Sequence, residues 1–471
     1  MPKQVTKKYS SKSKKMNRSC QAKLPKHLVH INQMAAGIDI GSESHFVAVP
    51  EGCDTPCVQE FAAFTPDLNK LADWLKKCGI ETVAMESTGI YWIPLYELLE
   101  SRGFNVNLVD ARHVKNVSGR KTDVVDCQWI QQLHTYGLLN AAFRPSEEIN
   151  KIRIYSRQRS MLIEQASDYI RRMQKALSQM NIKLQHVLSD ITGVTGLQMI
   201  RAIVQGECDP DKLAAYRNKK CRQPLSVIKK ALTGNYREEH IFSLKQALEL
   251  YDIYQEKIAA CDREIERQLS KIESAQLEAS DQKPVMVVKR KKSHCKNTPT
   301  FDLKSHLLRI TGVDLTAIPG IEISSAFRII AEIGLDMSHW KSSKHFASWL
   351  GLCPDNKISG GKRLSGKSKR TSNYAAAILR MAASSLHRSK SALGAFFRRL
   401  KSRLGAPKAT TAAAHKLATI IFNMLSKRIA YIETGQHYYE AQYRERLIRN
   451  LSMRARDLGF ALVQTPLISG G

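Results

Sequence analysis

The spacing of apolar positions changes character near residue 146. Before that point, from residue 35, apolar residues come in short, dense runs broken by turn residues, which predicts β-strands. Residues 36–49 read as strand, tight turn at Gly41, strand; a third strand fits residues 58–64. Residues 65–77 carry helical spacing, with Thr65 as the expected N-cap and Pro66 at the first helical position. A buried strand follows over 81–89, a helix over 90–102 closed by Gly103, and a strand over 104–110. A basic loop then leads into a helix opened by Asp123 and Asp126, with Trp129, Ile130, Leu133 and Leu138 as its apolar positions. Three strands, helix, strand, helix, strand, helix predict an α/β domain with a mixed sheet.

After residue 147 the period is helical. Ile149, Ile152, Ile154, Met161, Ile163, Ile170, Met173 and Leu177 predict one long helix, with Arg and Lys interleaved. A second run over about 242–277 predicts a partner for it in an antiparallel coiled coil. Short helices and loops fit 192–237. Residues 280–300, with Lys289-Arg290-Lys291-Lys292 and two prolines, read as a basic linker. Ala-rich helices are expected over 373–386 and 408–429. The resulting division is a disordered basic arm over 1–33, an α/β domain over 34–146, and a helical region over 147–279. The linker over 280–300, a mostly α C-terminal domain over 301–435 and a tail over 436–471 complete it.

Charge narrows the function. The 471 residues carry 73 Lys and Arg against 43 Asp and Glu, a formal net charge of +30. That excess predicts a polyanionic partner, with nucleic acid first and an anionic membrane surface second. No apolar run is long enough for a membrane span, and the basic N-terminus lacks the apolar stretch of a signal peptide. The expected location is the cytoplasm, associated with the nucleoid. Ten cysteines show no metal or disulfide spacing beyond Cys53 and Cys57, so free thiols are expected.

Two groups of residues suggest chemistry. Asp39 interrupts an apolar strand and Glu86 ends another, while Asp123 and Asp126 stand three apart and share a helix face. Carboxylates brought together repel unless a hard divalent cation turns repulsion into ligation. The plainer alternative for the Asp123/Asp126 pair is two solvated acids favoured by the helix dipole. The second group is Ser359-Gly360-Gly361 among Lys357, Lys362, Arg363, Lys367, Lys369 and Arg370. Cations there would stabilise charge developing on a phosphate, with or without covalent chemistry at the serine. Upstream, Ile318-Pro319-Gly320-Ile321 opens a helix and is expected to present backbone N–H groups to a phosphate.

The order Asp, Glu, Asp-x-x-Asp on this strand pattern resembles the RNase H-like fold of RuvC-type junction resolvases. Gly37-Ile38-Asp39-Ile40-Gly41, Met85-Glu86-Ser87-Thr88-Gly89 and Lys121-Thr122-Asp123 through Asp126 resemble, more closely, the DEDD insertion-sequence transposases guided by a bridge RNA. In the C-terminal half, residues 315–321 leading to Ala331-Glu332-Ile333-Gly334 resemble that family's helix-hairpin-helix-like segment. Residues 346–354, followed by Ile358-Ser359-Gly360-Gly361-Lys362-Arg363, resemble its serine motif.

The resemblance implies that Asp39, Glu86, Asp123 and Asp126 bind Mg²⁺ or Mn²⁺ and that Ser359 joins covalently to DNA phosphate. Ser365 and Ser368 are the alternatives if the register shifts. Asp110 is expected to be structural, and Lys121, Gly360, Gly361, Lys362, Arg363, Lys367, Lys369 and Arg370 to meet nucleic acid. DNA, a guide RNA and further copies of the chain are the implied partners. The rival readings are a metal-dependent junction nuclease and a non-catalytic nucleic-acid scaffold.

Overall fold

A computed structural model describes residues 30–109, 123–274, 297–368 and 371–463. The chain divides into two compact units, residues 1–144 and 145–471.

The first unit is built on a five-stranded mixed sheet in the order β3-β2-β1-β4-β5. β1 (Ala35–Ile40), β2 (Ser44–Ala48) and β3 (Val58–Ala62) form an antiparallel meander. β4 (Thr82–Glu86) and β5 (Asn105–Val109) extend it on the other side of β1, both parallel to their neighbours. The parallel pairs need crossovers, and the helices supply them. α1 (Thr65–Lys77) and α2 (Trp92–Ser101) place Leu68, Leu71, Leu75, Leu95 and Leu99 against Ile38, Ile40, Val47, Val83 and Met85 on one face. α3 (Asp123–Thr135) lies on the opposite face, where Ile130 meets Ala84 and Val109.

The contact between α3 and β1 is backbone on backbone. A Cβ added at Gly37 would lie 2.2 Å from the Gln131 nitrogen and 2.5 Å from the Cys127 carbonyl oxygen. At the far end of α3, His134 Nε2 stands 2.9 Å from the Thr82 hydroxyl. That hydroxyl donates to the Asn105 carbonyl at 3.0 Å, so the imidazole is the donor through Nε2–H.

Several boundaries differ from the sequence reading. Thr65 is already helical and the cap position falls on Phe64, because Pro66 is tolerated anywhere in a first turn. β3 stops at Ala62, β4 at Glu86, and α2 begins only at Trp92. Leu138 lies beyond α3 and is 53% exposed, because Gly137 turns left-handed at φ +66 and ends the helical path. Residues 30–33 of the expected arm are among those described. Ile31 and Asn32 donate their N–H groups to the Thr135 carbonyl at 2.9 and 3.0 Å, which ties residues 30–33 to α3. Asp110, the rest of the arm and most of the 280–300 linker lie outside the described residues.

In the second unit, α4 (Glu147–Gln179) and α9 (Glu238–Lys271) run alongside each other. Arg159 pairs with Asp262, and Tyr169 stacks on Tyr254 with ring centroids 5.3 Å apart. One number rises as the other falls, so the pair is antiparallel. Ile154 and Met161, expected on the apolar stripe, are exposed; the buried stripe instead includes the polar Ser156 and Arg159. Between them α5 (Leu184–Val187), α6 (Val194–Val204), α7 (Pro210–Ala215) and α8 (Leu225–Leu232) complete that core.

α10 (Leu303–Thr311), α11 (Ile323–Ile333), α12 (Ser343–Trp349), α13 (Tyr374–Ser385), α14 (Ala392–Leu404) and α15 (Ala406–Lys427) follow. Trp340 packs on Phe346 and Trp349 of α12, and Phe346 meets Phe422 of α15. Glu332 of α11 receives a two-pronged hydrogen bond from Arg157 of α4, at 2.7 and 2.8 Å. The expected tail over 436–471 is instead a helix, α16 (Gln436–Asp457), over most of its described length.

Two outcomes follow from the first unit. Gly37→Ala should destabilise the full chain by about 3 kcal/mol, since only backbone atoms stand in the way, and a thermal melt would read it. Burial also holds His45 and His134 neutral, with pKa values below the ordinary histidine value. Their contribution is full above the unfolded pKa of about 6.5 and is lost as pH falls through the lowered folded values. The melting temperature should therefore drop between pH 7.5 and pH 5, and His134→Gln should flatten part of that slope.

Candidate functional site

Asp39 stands two residues beyond Gly37 and so projects from the same face of β1, the face that carries α3. The register pairs Gly37 with Ala84 and Ile38 with Met85. Glu86 is therefore the next position on β4 beside Asp39, on that same face, across a strand spacing of about 4.8 Å. Because Gly37 admits the α3 backbone directly onto β1, the first turn of α3 comes down over the end of the strand. Asp123 and Asp126 open that turn.

One carboxylate oxygen from each of Asp39, Asp123 and Asp126 can be chosen so that all three lie within 4.8 Å of one another. Asp123 is exposed, while Asp39 and Asp126 are half-buried. The Glu86 carboxylate does not join this group. It accepts a hydrogen bond from the Thr88 hydroxyl at 3.2 Å, at the end of its strand.

Three like charges on one small surface favour a cation. The donors are all hard oxygens, which suit a divalent ion such as Mg²⁺ or Mn²⁺. The nearby thiol does not compete. Burial, with the charges of Asp39 and Asp126, pushes the Cys127 thiol up to about 12, and its Sγ–H points to the Val124 carbonyl at 3.2 Å. Its sulfur also stands outside the group of three carboxylates.

The serine motif lies in the second unit. β6 (Lys357–Ser359) and β7 (Lys362–Ser365) form an antiparallel hairpin, with Ser359 paired to Lys362. Gly360 and Gly361 are its two-residue turn, at φ +54 and +74, as a type I′ turn requires. Within the described chain nothing comes within 4 Å of a Cβ at either, so backbone conformation is what demands them. Ser359, Lys362 and Lys367 are exposed. The Ser365 hydroxyl accepts from the Lys367 N–H at 3.4 Å, and Ser368 sits in an isolated bridge to Pro354. Lys121, Lys369 and Arg370 lie outside the described residues.

In the Ile318–Ile321 turn, Gly320, at φ +87, backs onto α13, where a Cβ would lie 2.8 Å from the Ala382 carbonyl oxygen. Its freedom serves this packing, a use the sequence reading did not assign. The sequence reading placed Gly37 in the first strand and gave it no packing role, which appears only with the helix resting on it. The signal lay in a glycine inside a strand, which marks close backbone approach.

A mixed sheet with carboxylates from β1 and from the first turn of α3 gathered in one place suits an enzyme that binds a divalent metal. Residues 36–182 match the DEDD transposase family model of the IS110 type, and residues 314–398 match the transposase model of the IS116/IS110/IS902 family. The chain belongs to the IS110-type DEDD transposases and is a DNA transposase. The first match spans Asp39 through Asp126 and the second spans the hairpin. The DEDD domain implies dependence on a divalent metal. No curated protein matches the chain. No helix among the described residues is long and apolar enough to cross a membrane.

The cluster makes a measurable demand. Asp123→Asn and Asp126→Asn should each weaken Mn²⁺ binding, read by calorimetry, by about tenfold or more. Glu86→Gln should cost less, since its oxygens stand outside the group of three.

Proposed function

We propose that this transposase cleaves and exchanges DNA strands with Mg²⁺ held by Asp39, Glu86, Asp123 and Asp126, through a covalent link between DNA and Ser359. The observation that carries the reading is the convergence of the Asp39, Asp123 and Asp126 carboxylates. A bound divalent ion supplies charge neutralisation at the phosphoryl oxygens. The acids hold and orient; the serine provides the nucleophile. Its hydroxyl oxygen bonds to phosphorus, one bridging P–O bond breaks, and the departing sugar oxygen takes up a proton. The phosphodiester energy stays in the phosphoserine link, so religation to a new strand needs no further energy source.

The hairpin suits this role. Ser359 is exposed beside the exposed Lys362, and Gly360 and Gly361 keep the tip free of side chains. Arg363, Lys367, Lys369 and Arg370 add positive charge to the segment for the phosphate backbone. Lys121 adds a positive charge two positions before Asp123 in the sequence.

In its finer form, the first unit is a RuvC-like, RNase H-like nuclease core. The α4–α9 pair is a coiled-coil arm, and the C-terminal region is a helix-hairpin-helix-like transposase domain. The net charge of +30 supports an RNA partner, and base pairing to a guide RNA would choose the target. Two or four copies work together, one giving the acids and another the serine.

Ser359→Ala should keep salt-sensitive DNA binding and lose the covalent protein–DNA adduct on a denaturing gel. Unchanged adduct would move the nucleophile to Ser365 or Ser368. Cleavage that leaves only free phosphate ends would make the enzyme a junction nuclease instead.

A further inference from the structure

Arginine is in excess where α4, α11 and α13 meet. Arg157 and Arg159 come from α4 and Arg328 from α11. Arg159 is paired with Asp262 and also donates to the Asn297 carbonyl. Arg157 engages both oxygens of Glu332, through Nε and Nη2, and its guanidinium lies over the Tyr374 ring. Arg328 stands one helical turn before Glu332 on α11 and finds that carboxylate occupied. Among the described residues it makes no hydrogen bond and no ion pair.

Arg328 is half-buried, so the missing acceptor matters. Burial pulls its pKa below the ordinary arginine value; Glu332 only partly offsets this, and the charge of Arg159 works with burial. A guanidinium nevertheless stays protonated at neutral pH. A cation held without an acceptor in a partly dehydrated place is destabilising until an anion arrives. The cluster is open to solvent at the first turn of α13, where Tyr374 is 51% exposed and the Arg157 side chain 45% exposed.

We propose that Arg328 binds one phosphodiester group of the DNA backbone, which supplies the acceptor that the protein withholds. The guanidinium fork matches two oxygens of a phosphate. DNA is the polyanion on which a transposase acts, and the family match over residues 314–398 takes in Arg328, Glu332 and Tyr374. Arg157 is the positioning residue: by holding Glu332 it keeps that carboxylate from neutralising Arg328. The contact reads no sequence and fixes the protein's place on the strand. The inference rests on DNA as the substrate and depends neither on Ser359 nor on the metal-binding acids.

The test uses the full-length chain stripped of nucleic acid, a short DNA duplex of arbitrary sequence, and EDTA so that no metal takes part. Wild type, Arg328→Gln and Arg328→Lys are compared in DNA affinity across a salt series and in thermal melts without DNA. Arg328→Gln should bind DNA about tenfold more weakly. Its salt slope should fall by about 0.9, the share of one phosphate contact. Arg328→Lys keeps the charge and should keep the slope. Without DNA, Arg328→Gln should melt at or above the wild type, because it removes a charge that has no acceptor. An unchanged slope in Arg328→Gln would overturn the proposal. So would a melting temperature for that variant well below wild type, which would make Arg328 a structural residue. A slope change seen with RNA of the same length and absent with DNA would overturn it too.

Discussion

The arrangement of this molecule's chemistry depends on one steric contact, the seating of the α3 backbone on Gly37. An ordinary helix-on-sheet contact keeps the two backbones apart by two layers of side chain. Here one layer is missing, and the space under Gln131 and Cys127 is filled by the strand itself. The helix is then fixed along its length by other contacts: Ile130 against Ala84 and Val109, Gln131 Nε2 to the Ala35 carbonyl at 3.3 Å, and His134 to Thr82. Each such hydrogen bond contributes only about 1 kcal/mol. Together they set the height and the axial position of α3, which a side-chain contact at residue 37 could not set as closely. Asp123 and Asp126 are carried by that placement. Their approach to Asp39 is a property of the backbone, and the repulsion among the three is borne by the packing behind them.

The second unit solves a different problem, holding long helices in fixed alignment. Arg159 is buried between α4 and α9 with Asp262, and its guanidinium also reaches the Asn297 carbonyl at 3.0 Å. Burying a charged pair gains little net stability, because desolvation offsets the attraction. Sliding one helix past the other, however, would leave both charges unpaired, at a cost of several kcal/mol. The pair therefore fixes axial register more than it adds stability. Arg157, one residue of the same helix nearer the exposed side, reaches Glu332 and lies over Tyr374 at 4.5 Å. One turn of α4 thus aligns α9 on one side and the α11–α13 layer on the other.

The succession of strands and helices in the first unit was legible because its signals are local. A carboxylate inside an apolar run, as at Asp39, is conspicuous, and helical spacing after Pro66 and Asp123 is strong. What escaped were features whose cause lies elsewhere in the chain. The hairpin over residues 357–365 is too short and too rich in Lys and Ser to show a period of two, so only its Gly-Gly turn stood out. α16 read as a tail because its leucines are sparse among arginines, although their spacing is helical. Gly320 read as a phosphate-binding turn because nothing in its own neighbourhood announces the Ala382 carbonyl behind it. The Glu86 position was legible as a strand end, but the hydrogen bond from Thr88 that occupies its carboxylate was not.

The exposure of Ser359 has a consequence for how the proposed chemistry is controlled. A serine hydroxyl is a poor nucleophile at neutral pH, and water is present around it at far higher concentration than any substrate. A tip serine with a permanently attached base would attack any phosphate that drifted by. The acids proposed to hold the metal belong to the other compact unit of the chain, and the two hairpin strands carry no carboxylate, the nearest in sequence being Asp355. Cations stabilise a phosphate's developing charge but do not remove a proton from the hydroxyl. If Ser359 is the nucleophile, its proton has to pass to a group outside the two hairpin strands, and its reactivity depends on the arrival of that group with the DNA phosphate. An exposed hydroxyl is tolerable under that dependence.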